Sequence, residues 1–571
     1  MNIAIIGFGP RGLACLENAV LELASVNLKE KPHVLIFEMS EHIGTGKAWE
    51  INQPETNYIN ISDHALQSLK GREKIVWDAL VIPSFPSYSE WCLRNNKEEN
   101  LDGDKDVYPP RSQMGTYLYK RATSLCTVLE QNAILTIHKE EVSSVSYTNS
   151  LLTIHGTTTS FEVAECLLAM GHTPTRESDE TKRFKTHAKK QDVVYIHNPY
   201  EITIAQPDMS GKKVLIKGFG LSMLDITRQL TNYKFGRFEQ KENSEYLQFI
   251  AEKKCTQKII PYSFDGLPCI PKPFGRKIDS TFEPTQVQLH TFDLALRNVL
   301  AQPKKVKDIQ FVLNAFATVA AAIFHKNAKE NYKTDEVEGL IKSWLQNTST
   351  KHTLILDTEL PTVDYMKQTV EMALGRVAAS LDFTIGQVWR HIQPTLYRLF
   401  AFSGISGEVM KQLIDTDQET KRYSFGPPVE SILQLIALHE ASILELDFVN
   451  NPEITTTDQG WTLSKQGKQC EAGILCNSVM DAPVLNNLDS SLLRQLHEAQ
   501  LLQAVHKDLG VLTRADSTVI LPNSSAKNIP LAVIGRNAKG SVLGTDAILE
   551  CFSPETHDWA KGLAERVVAS A

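Results

Sequence analysis

The first twelve residues constrain the fold more than any other stretch of this chain. Residues 3–6 form an uncharged apolar run with β-branched side chains, which is typical of a strand buried on both faces. Gly7, Gly9 and Gly12 follow as G-x-G-x-x-G, and an apolar stripe of helical period continues the chain. This order of strand, glycine turn and helix predicts a dinucleotide-binding βαβ unit.

Each glycine has its own role in such a unit. Gly7 makes the tight turn, Gly9 lets the backbone approach a pyrophosphate, and Gly12 lets helix and strand pack closely. The helix N-terminus offers free N–H groups to the phosphates. The next predicted strand, residues 33–37, ends in Glu38, near the spacing expected of a carboxylate that binds a ribose hydroxyl. The alternative is a βαβ unit that uses its glycines only for packing.

A second, weaker pattern of the same kind lies in the middle of the chain. A predicted strand over residues 214–217 precedes Gly218 and Gly220, and a helical pattern follows. Met223 occupies the position of the third glycine, so the fingerprint is incomplete. The pattern predicts a second dinucleotide site.

Composition and charge argue against several classes of protein. The 571 residues are 42% hydrophobic and 22% charged, which is ordinary for a globular protein. The formal net charge of −8 argues against a nucleic-acid partner, which usually meets a basic face. Nine widely spaced cysteines without a C-x-x-C pair argue against a disulfide framework or a zinc site. No signal peptide precedes the first strand, and the longest apolar run, residues 311–324, is short for a membrane span. We therefore expect a cytoplasmic protein without a membrane partner.

Helical periodicity dominates residues 285–441. The histidines of this region stand alone, without an H-x-x-x-H or E-x-x-H pair, so we expect no metal site there. The region is predicted to be an all-helical insertion.

Taken together, these motifs resemble the two-dinucleotide-binding flavoproteins, and more closely an FAD/NAD(P)-binding family whose N-terminus reads G-x-G-P-R-G-L. That motif is matched in full by Gly7, Gly9, Pro10, Arg11, Gly12 and Leu13. The chain also matches four further segments of the family. The first contains Gly44, Gly46 and Ala48, with Trp49 as a departure, and the second is residues 57–60, which include Asn60. The third contains Pro109, Arg111, Gly115 and Tyr117, and the fourth contains Ala169, Gly171 and His172, with Met170 as a departure.

The resemblance implies an α/β fold in which a Rossmann-like FAD-binding domain, with three ββα layers, accompanies a second Rossmann-like NAD(P) domain and the helical insertion. It assigns residues 1–205 to the N-terminal part of the FAD domain and residues 206–284 to the second domain. Residues 285–441 would be the insertion, and residues 442–571 would complete the FAD domain. Asp546 is expected to open the last helix.

The resemblance also implies cofactors and their binding residues. FAD would occupy the first site, with Glu38 on the adenosine ribose and the turn from Gly535 to Asp546 over the flavin end. The second site would bind NADH or NADPH, or would be a relic. Relatives often carry Ser-Arg after the second strand of this unit, where Ser263 and Phe264 stand here, so Lys272 or Arg276 would have to hold a 2′-phosphate. The full set of expected cofactor-binding residues is Gly7, Gly9, Pro10, Arg11, Gly12, Glu38, Gly46, Trp49, Asn60, Gly171, Gly218, Gly220, Ser222, Gly535 and Asp546.

Because a flavin supplies the reactive chemistry, no side-chain nucleophile is required. No G-x-S-x-G elbow and no C-x-x-C pair are present, which disfavours a hydrolase and a disulfide reductase. Arg111 and His172 are the candidate catalytic residues, and each has a structural alternative, a surface salt bridge or a hydrogen bond. The leading hypothesis is an FAD-dependent oxidoreductase, an NAD(P)H-using monooxygenase of a small molecule. The alternatives are an FAD oxidase or dehydrogenase without nicotinamide and a non-catalytic flavin sensor. The oligomeric state is not predicted.

Overall fold

The structure is a computed structural model that describes residues 1–95, 97, 104–149, 151–198, 200, 211–231, 235–252, 257–328, 332–522 and 529–570. Two parallel sheets and a helical region account for most of this part of the chain. The predicted boundary between residues 205 and 206 lies outside the described residues.

Strands are interspersed with helices up to residue 279. The strands are β1 (Asn2–Ile6), β2 (His33–Phe37), β3 (Ile75–Trp77), β4 (Leu80–Ile82), β5 (Leu135–His138), β6 (Ser144–Thr148), β7 (Leu151–His155), β8 (Ser160–Val163), β9 (Glu165–Leu168), β10 (Val194–Ile196), β11 (Lys213–Lys217), β12 (Gly236–Gln240), β13 (Leu247–Ala251) and β14 (Lys258–Tyr262). The helices are α1 (Pro10–Ser25), α2 (Asp63–Leu66), α3 (Tyr88–Arg94), α4 (Arg111–Gln131), α5 (Asp179–Gln191), α6 (Leu221–Thr231) and α7 (Arg276–Asp279).

Helices then dominate until strands return near residue 453. The remaining helices are α8 (Gln286–Leu300), α9 (Gln310–Asn327), α10 (Thr334–Gln346), α11 (Thr362–Ala373), α12 (Leu381–Phe400), α13 (Gly407–Ser424), α14 (Val429–Glu440), α15 (Ser491–Glu498) and α16 (Pro554–Ser570). The remaining strands are β15 (Glu453–Thr457), β16 (Gly460–Lys465), β17 (Lys468–Ala472), β18 (Ile474–Asn477) and β19 (Leu531–Val533).

The first parallel sheet has the strand order β19-β9-β1-β2-β5. Alternate residues of β1 enter different cores, as the period of two along a strand requires. Ile3 and Ile5 pack with α1, α4 and α16, whereas Ala4 and Ile6 pack with the antiparallel sheet β6-β7-β8. This arrangement confirms the predicted three-layer ββα domain. The C-terminal part of the chain contributes β19 and α16 to it.

The second parallel sheet has the order β10-β18-β11-β14 and repeats the same layering. Val214 and Ile216 face a core shared with the helical region, and Leu215 faces a core with Trp461 on the antiparallel sheet β15-β16-β17. The second Rossmann-like unit therefore draws on three stretches of the chain, and α8 to α14 are inserted between β14 and β15.

This topology corrects two predicted boundaries. Strand β10 pairs with β18, so the chain enters the second unit before residue 205. Strand β18 pairs with β11, so residues 453–477 complete the second unit and not the first. The register decides both points, because each strand is bonded along its length inside the second sheet. The predicted start of the last helix at Asp546 is also wrong, since α16 begins at Pro554 and Asp546 lies in the preceding turn.

Among the described residues, no helix is long and apolar enough to cross a membrane.

Candidate functional site

A large cavity, with a volume of about 1710 Å³, lies among the described residues. Its walls come from the glycine turn after β1, from the helical region around α12, and from the turn that begins at Gly535. Pockets for a single small ligand measure roughly 300–1,000 Å³. The cavity therefore has room for a dinucleotide together with a second small molecule.

The glycine turn after β1 has the geometry that a phosphate site needs. Gly7 adopts a φ of 85°, and Gly9 is the N-cap of α1 without a side-chain capping bond. The first-turn N–H groups of a helix have no partner within the helix, so these groups are available to an anion. A Cβ on Gly9 would lie 3.5 Å from the Cα of Gly46, in the gap between two cavity-lining glycines. Both glycines therefore present bare backbone to the cavity, which allows a pyrophosphate on the cavity side to approach closely.

Gly12 and Pro10 shape the turn in different ways. A Cβ on Gly12 would lie 2.6 Å from the carbonyl oxygen of Gly7, so this glycine permits the close approach of α1 to the strand. Gly12 does not line the cavity. Pro10 does line it, at the first position of α1, where a missing N–H costs no helical hydrogen bond.

Glu38 lies at the carboxyl end of β2 and lines the cavity beside the glycine turn. Its Oε2 accepts a hydrogen bond from the N–H of Phe8 at 2.7 Å, and its Oε1 accepts one from the N–H of Ser40 at 2.8 Å. A carboxylate has about four lone-pair positions, so capacity remains for the hydroxyl groups of a ribose. The backbone bonds hold the carboxylate in place for that contact.

Arg11 forms a buried ion pair that is not predicted from the sequence. Its Nη1 donates to Oε2 of Glu555 at 2.9 Å, which joins α1 to α16. Arg11 Nη2 and Glu555 Oε1 are buried without a hydrogen-bond partner among the described residues. A Cβ on Gly535 would lie 2.5 Å from Arg11 Nε, so Gly535 provides the space that this guanidinium fills. No local pattern signals Glu555, because it lies at the opposite end of the chain.

Trp49, Gly46 and Asn60 also line the cavity. Gly46 has a φ of 61° and precedes a 3₁₀ turn, Lys47–Trp49. Asn60 Nδ2 donates to the carbonyl oxygen of Phe425 at 2.8 Å, which ties the FAD domain to the end of α13. Asn60 Oδ1 is buried without a hydrogen-bond partner in the described part of the chain.

Arg111 lies at the first residue of α4 and lines the cavity, but its charge is already paired. Its Nη2 donates to Oδ2 of Asp225 at 3.0 Å, and its Nε donates to the carbonyl oxygen of Tyr58 at 3.2 Å. Asp225 also faces Arg228 and accepts a hydrogen bond from the hydroxyl of Tyr200 at 3.0 Å. The surface salt bridge considered for Arg111 is thus a largely buried pair that joins the first unit to α6 of the second. Asp225 lies inside α6, in its second turn.

His172 and Gly171 follow β9 at the rim of the cavity. Gly171 has a φ of 65°, and the side chain of His172 keeps access to solvent. Desolvation and the nearby charge of Arg536 lower the pKa of His172 to about 4. The imidazole is therefore uncharged at neutral pH.

The C-terminal turn carries Gly535 and Asp546 to the same cavity. Burial opposes the charge of Asp546, but Lys421, Lys539 and Arg536 together hold its pKa well below the ordinary value. Asp546 ion-pairs with Lys421 at 2.9 Å and also with Arg536. This carboxylate therefore fastens the turn to α13, besides lining the cavity.

The second glycine turn lies apart from the cavity wall. Leu221, at the start of α6, is on that wall, but Gly218 and Gly220 are not. Gly218 has a φ of 101°, and a Cβ there would lie 2.7 Å from Oγ of Ser478. A Cβ on Gly220 would meet no atom within 4 Å, so the backbone is open to a ligand at this position. Ser222 is not on the cavity wall, and its Oγ is hydrogen-bonded to the hydroxyl of Tyr200 at 3.0 Å.

The comparisons with known proteins agree with this geometry at the level of the cofactor. Residues 4–173 match a family described as FAD-NAD(P)-binding. They form an FAD-NAD(P)-binding domain. The match confirms the predicted recognition of this kind of domain and the predicted FAD and NAD(P) cofactors.

The chain is similar to one curated enzyme over most of its length. It is 22% identical to nitrosuccinic acid synthase of Aspergillus oryzae over 537 residues, which cover 87% of this chain and 81% of that protein.

Several solved structures are similar at lower identity. L-lysine 6-monooxygenase from Pseudomonas syringae has a TM-score of 0.43 and 10% identity, with 99% of each chain covered. Cyclohexanone monooxygenase from Rhodococcus sp. Phi1 has a TM-score of 0.42 and 11% identity, with 100% of this chain and 84% of that chain covered. Bacillithiol disulfide reductase from Staphylococcus aureus has a TM-score of 0.41 and 12% identity, with 99% of each chain covered.

Proposed function

We propose that this flavin-dependent oxidoreductase is an NAD(P)H-using monooxygenase that oxygenates a small molecule inside the cavity. The observation that carries the proposal is the size and position of the cavity, which extends from the phosphate-binding turn at Gly9 to the helical region. The similarity to nitrosuccinic acid synthase supports a small organic acid as the class of compound that is handled.

The residues present fit FAD in the first site. The N-terminus of α1 and the bare backbone at Gly9 and Gly46 would bind the pyrophosphate, and Glu38 would bind the adenosine ribose. Trp49, Asn60 and Gly171 would border the flavin end, and the turn from Gly535 to Asp546 would close over it. When bound, FAD supplies hydride acceptance and the activation of dioxygen. The protein supplies binding and orientation within the cavity.

The second glycine turn would bind the nicotinamide dinucleotide. Gly220 offers an open backbone at the N-terminal end of α6, and Gly218 makes the turn that leads into it. The Arg111–Asp225 ion pair would hold α6 against the first unit, so we assign Arg111 a positioning role rather than contact with a phosphate. Uncharged His172, at the cavity rim, is the candidate to accept a hydrogen bond from substrate or nicotinamide.

The acidic net charge and the free cysteines of the described residues are consistent with a cytoplasmic enzyme that has no nucleic-acid partner, and we propose that location.

Anaerobic reduction of the purified yellow protein tests the proposal. Mixing with NADH and, separately, with NADPH should bleach the flavin absorbance, and admitting oxygen should restore it. The Gly220→Ala variant should retain FAD and slow the bleaching, because the new methyl group enters the open backbone of the second site. Persistent flavin colour with both nucleotides would refute a nicotinamide-dependent enzyme.

A second candidate function is an FAD oxidase or dehydrogenase that takes its hydride from the substrate. It is favoured by the separation of Gly218 and Gly220 from the cavity wall. Flavin bleaching by a small organic acid alone, with no response to either nucleotide, would select this alternative.

A further inference from the structure

A lysine without an anionic partner lies on the wall of the cavity. Lys272 follows β14 in the loop before α7 and lines the cavity beside Asn60 and Tyr108. Its Nζ donates to the carbonyl oxygen of Asn60 and lies 5.9 Å from the ring centroid of Tyr108. Within the described residues it forms no ion pair with a carboxylate.

Lys272 differs in this respect from several other cations on the cavity wall. A buried charge is costly unless it is paired, so proteins normally supply a counter-ion. Three arginines on the wall follow this rule: buried Arg11 pairs with Glu555, buried Arg121 with Glu17, and partly buried Arg390 with Asp279.

The carboxylates nearest to Lys272 are already engaged or weakened. Asp279 is shared between Arg390 and His391, and these two side chains hold its pKa below the ordinary value against the effect of burial. Desolvation and the charge of Asp63 raise the pKa of Asp106, which makes its anionic form less favourable. An anion that binds inside the cavity would therefore meet an ammonium group that needs a partner.

We propose that Lys272 binds a carboxylate of the substrate, with the hydroxyl of Tyr108 as a neighbouring donor. The inference rests on the proposed function, because it assumes that the helical side of the cavity holds the substrate. A carboxylate there would accept from Lys272 Nζ, which keeps two N–H donors after its bond to Asn60. It would also have a tyrosine hydroxyl that forms no hydrogen bond with the described residues.

From the sequence alone, Lys272 is a candidate to replace the arginine that holds a 2′-phosphate in related proteins. Its contacts with Asn60 and Tyr108 place it against the first unit, whereas the 2′-phosphate of a dinucleotide would lie at the carboxyl end of β14. A carboxylate and a phosphate share the same chemistry of recognition. The test must therefore separate the two sources.

Isothermal titration of the oxidised holoenzyme with malonate, succinate and glutarate measures the inferred contact without turnover. At least one of these acids should bind, and succinamide, which is uncharged, should not. The Lys272→Met variant should weaken the binding by about tenfold or more, the typical value of a charged hydrogen bond. The Lys272→Arg variant should retain it. Lys277→Met, an exposed lysine of α7 away from the cavity, is the matched control and should bind as the wild type does.

Proton uptake distinguishes direct binding from a structural effect of Lys272. Desolvation and Arg390 lower the pKa of Lys272 to about 7, with Asp279 and Asp106 opposing. The free amine is mostly neutral at pH 8, and a bound carboxylate favours its charged form. Titrations in buffers of different ionisation enthalpy should show uptake of about one proton per acid at pH 8 in the wild type. Lys272→Arg should bind without uptake, because arginine stays protonated.

Three outcomes would overturn the proposal: no binding of any acid to the wild type, equal binding by Lys272→Met, or binding at pH 8 without proton uptake. A weakened affinity of Lys272→Met for NADP⁺ and inorganic phosphate, with acid binding unchanged, would assign the lysine to a phosphate instead. FAD content and flavin reduction by NAD(P)H are measured on the same samples. Loss of FAD or of flavin reduction would refute the proposed function, whereas loss of acid binding with both of these intact would refute only the role of Lys272.

Discussion

Replacing Gly9 by alanine tests the phosphate site with the smallest possible change. Gly9 has φ −79° and ψ −165°, a conformation that alanine adopts without strain. The nearest atoms to an added Cβ would be the Cα and N of Gly46, at 3.5 and 3.6 Å, which is ordinary van der Waals contact. The protein without cofactor therefore accommodates the methyl group.

The Gly9→Ala substitution should stabilise the free protein but weaken its binding of FAD. Alanine at a compatible glycine position stabilises a fold by about 0.4–1 kcal/mol, because the unfolded chain loses conformational freedom. The same methyl group occupies the space between Gly9 and Gly46 that a pyrophosphate needs, and overpacking of a tight contact costs about 1–3 kcal/mol. This cost corresponds to a loss of FAD affinity of about 5- to 150-fold.

Two other glycines provide matched controls. A Cβ on Gly12 would lie 2.6 Å from a backbone oxygen, so Gly12→Ala should lower the stability of the protein itself. Gly339 lies in α10, where a Cβ meets nothing within 4 Å, so Gly339→Ala should leave FAD binding unchanged. FAD affinity is measured by titration of the apoprotein, and stability by its thermal unfolding. Wild-type FAD affinity in Gly9→Ala, with an intact fold, would refute the assigned site.

Three further predictions use other parts of the structure. Asp225→Asn should lower the free energy of unfolding by about 3–5 kcal/mol in urea, because it leaves Arg111 buried without its counter-ion; a loss below 1 kcal/mol would contradict this. Phe264 follows β14 and is 91% exposed, so Phe264→Arg should preserve the fold and improve the binding of NADP⁺ relative to NAD⁺ by about tenfold in calorimetry; an unchanged ratio would place the 2′-phosphate elsewhere. Burial raises the pKa of Glu165 to about 7 despite Arg566, so the stability that Glu165 contributes should be complete below pH 4.5 and be lost as the pH rises to about 7. Glu165→Gln should remove that slope, and a slope that persists would assign it to another group.

The parts of the fold that depend on local pattern are the parts that the sequence predicts. Residues 3–6 and the three glycines specify β1, the turn and α1 within a short stretch, and Glu38 ends the next strand. Each of these features depends on side chains close in the sequence, so period and spacing are sufficient. The long helical segment is predicted for the same reason, because its periodicity is carried by the segment itself.

The parts that depend on distant pairing are not predictable in this way. Strand β18 is short and apolar, and nothing in its four residues distinguishes the first parallel sheet from the second. Glu555 and Arg11 lie at opposite ends of the chain, and only the packing of α16 on α1 brings them together. Lys272 was considered for its charge, but the absence of a counter-ion depends on how Arg390 uses Asp279.

Arg111 shows why the identity of a residue in a motif does not fix its role. An arginine between two prolines and a glycine turn is suited to a phosphate or carboxylate, and it does line the cavity. The structure gives its charge to Asp225 on α6, which lies beyond the second glycine turn. A ligand that bound the guanidinium of Arg111 would break its ion pair with Asp225, which would then pair with Arg228 alone inside a buried network. The pair is therefore better suited to fix the distance between the two dinucleotide units than to bind a substrate. Lys272, whose charge has no carboxylate partner among the described residues, is in contrast a cation on the cavity wall that an anionic substrate can reach.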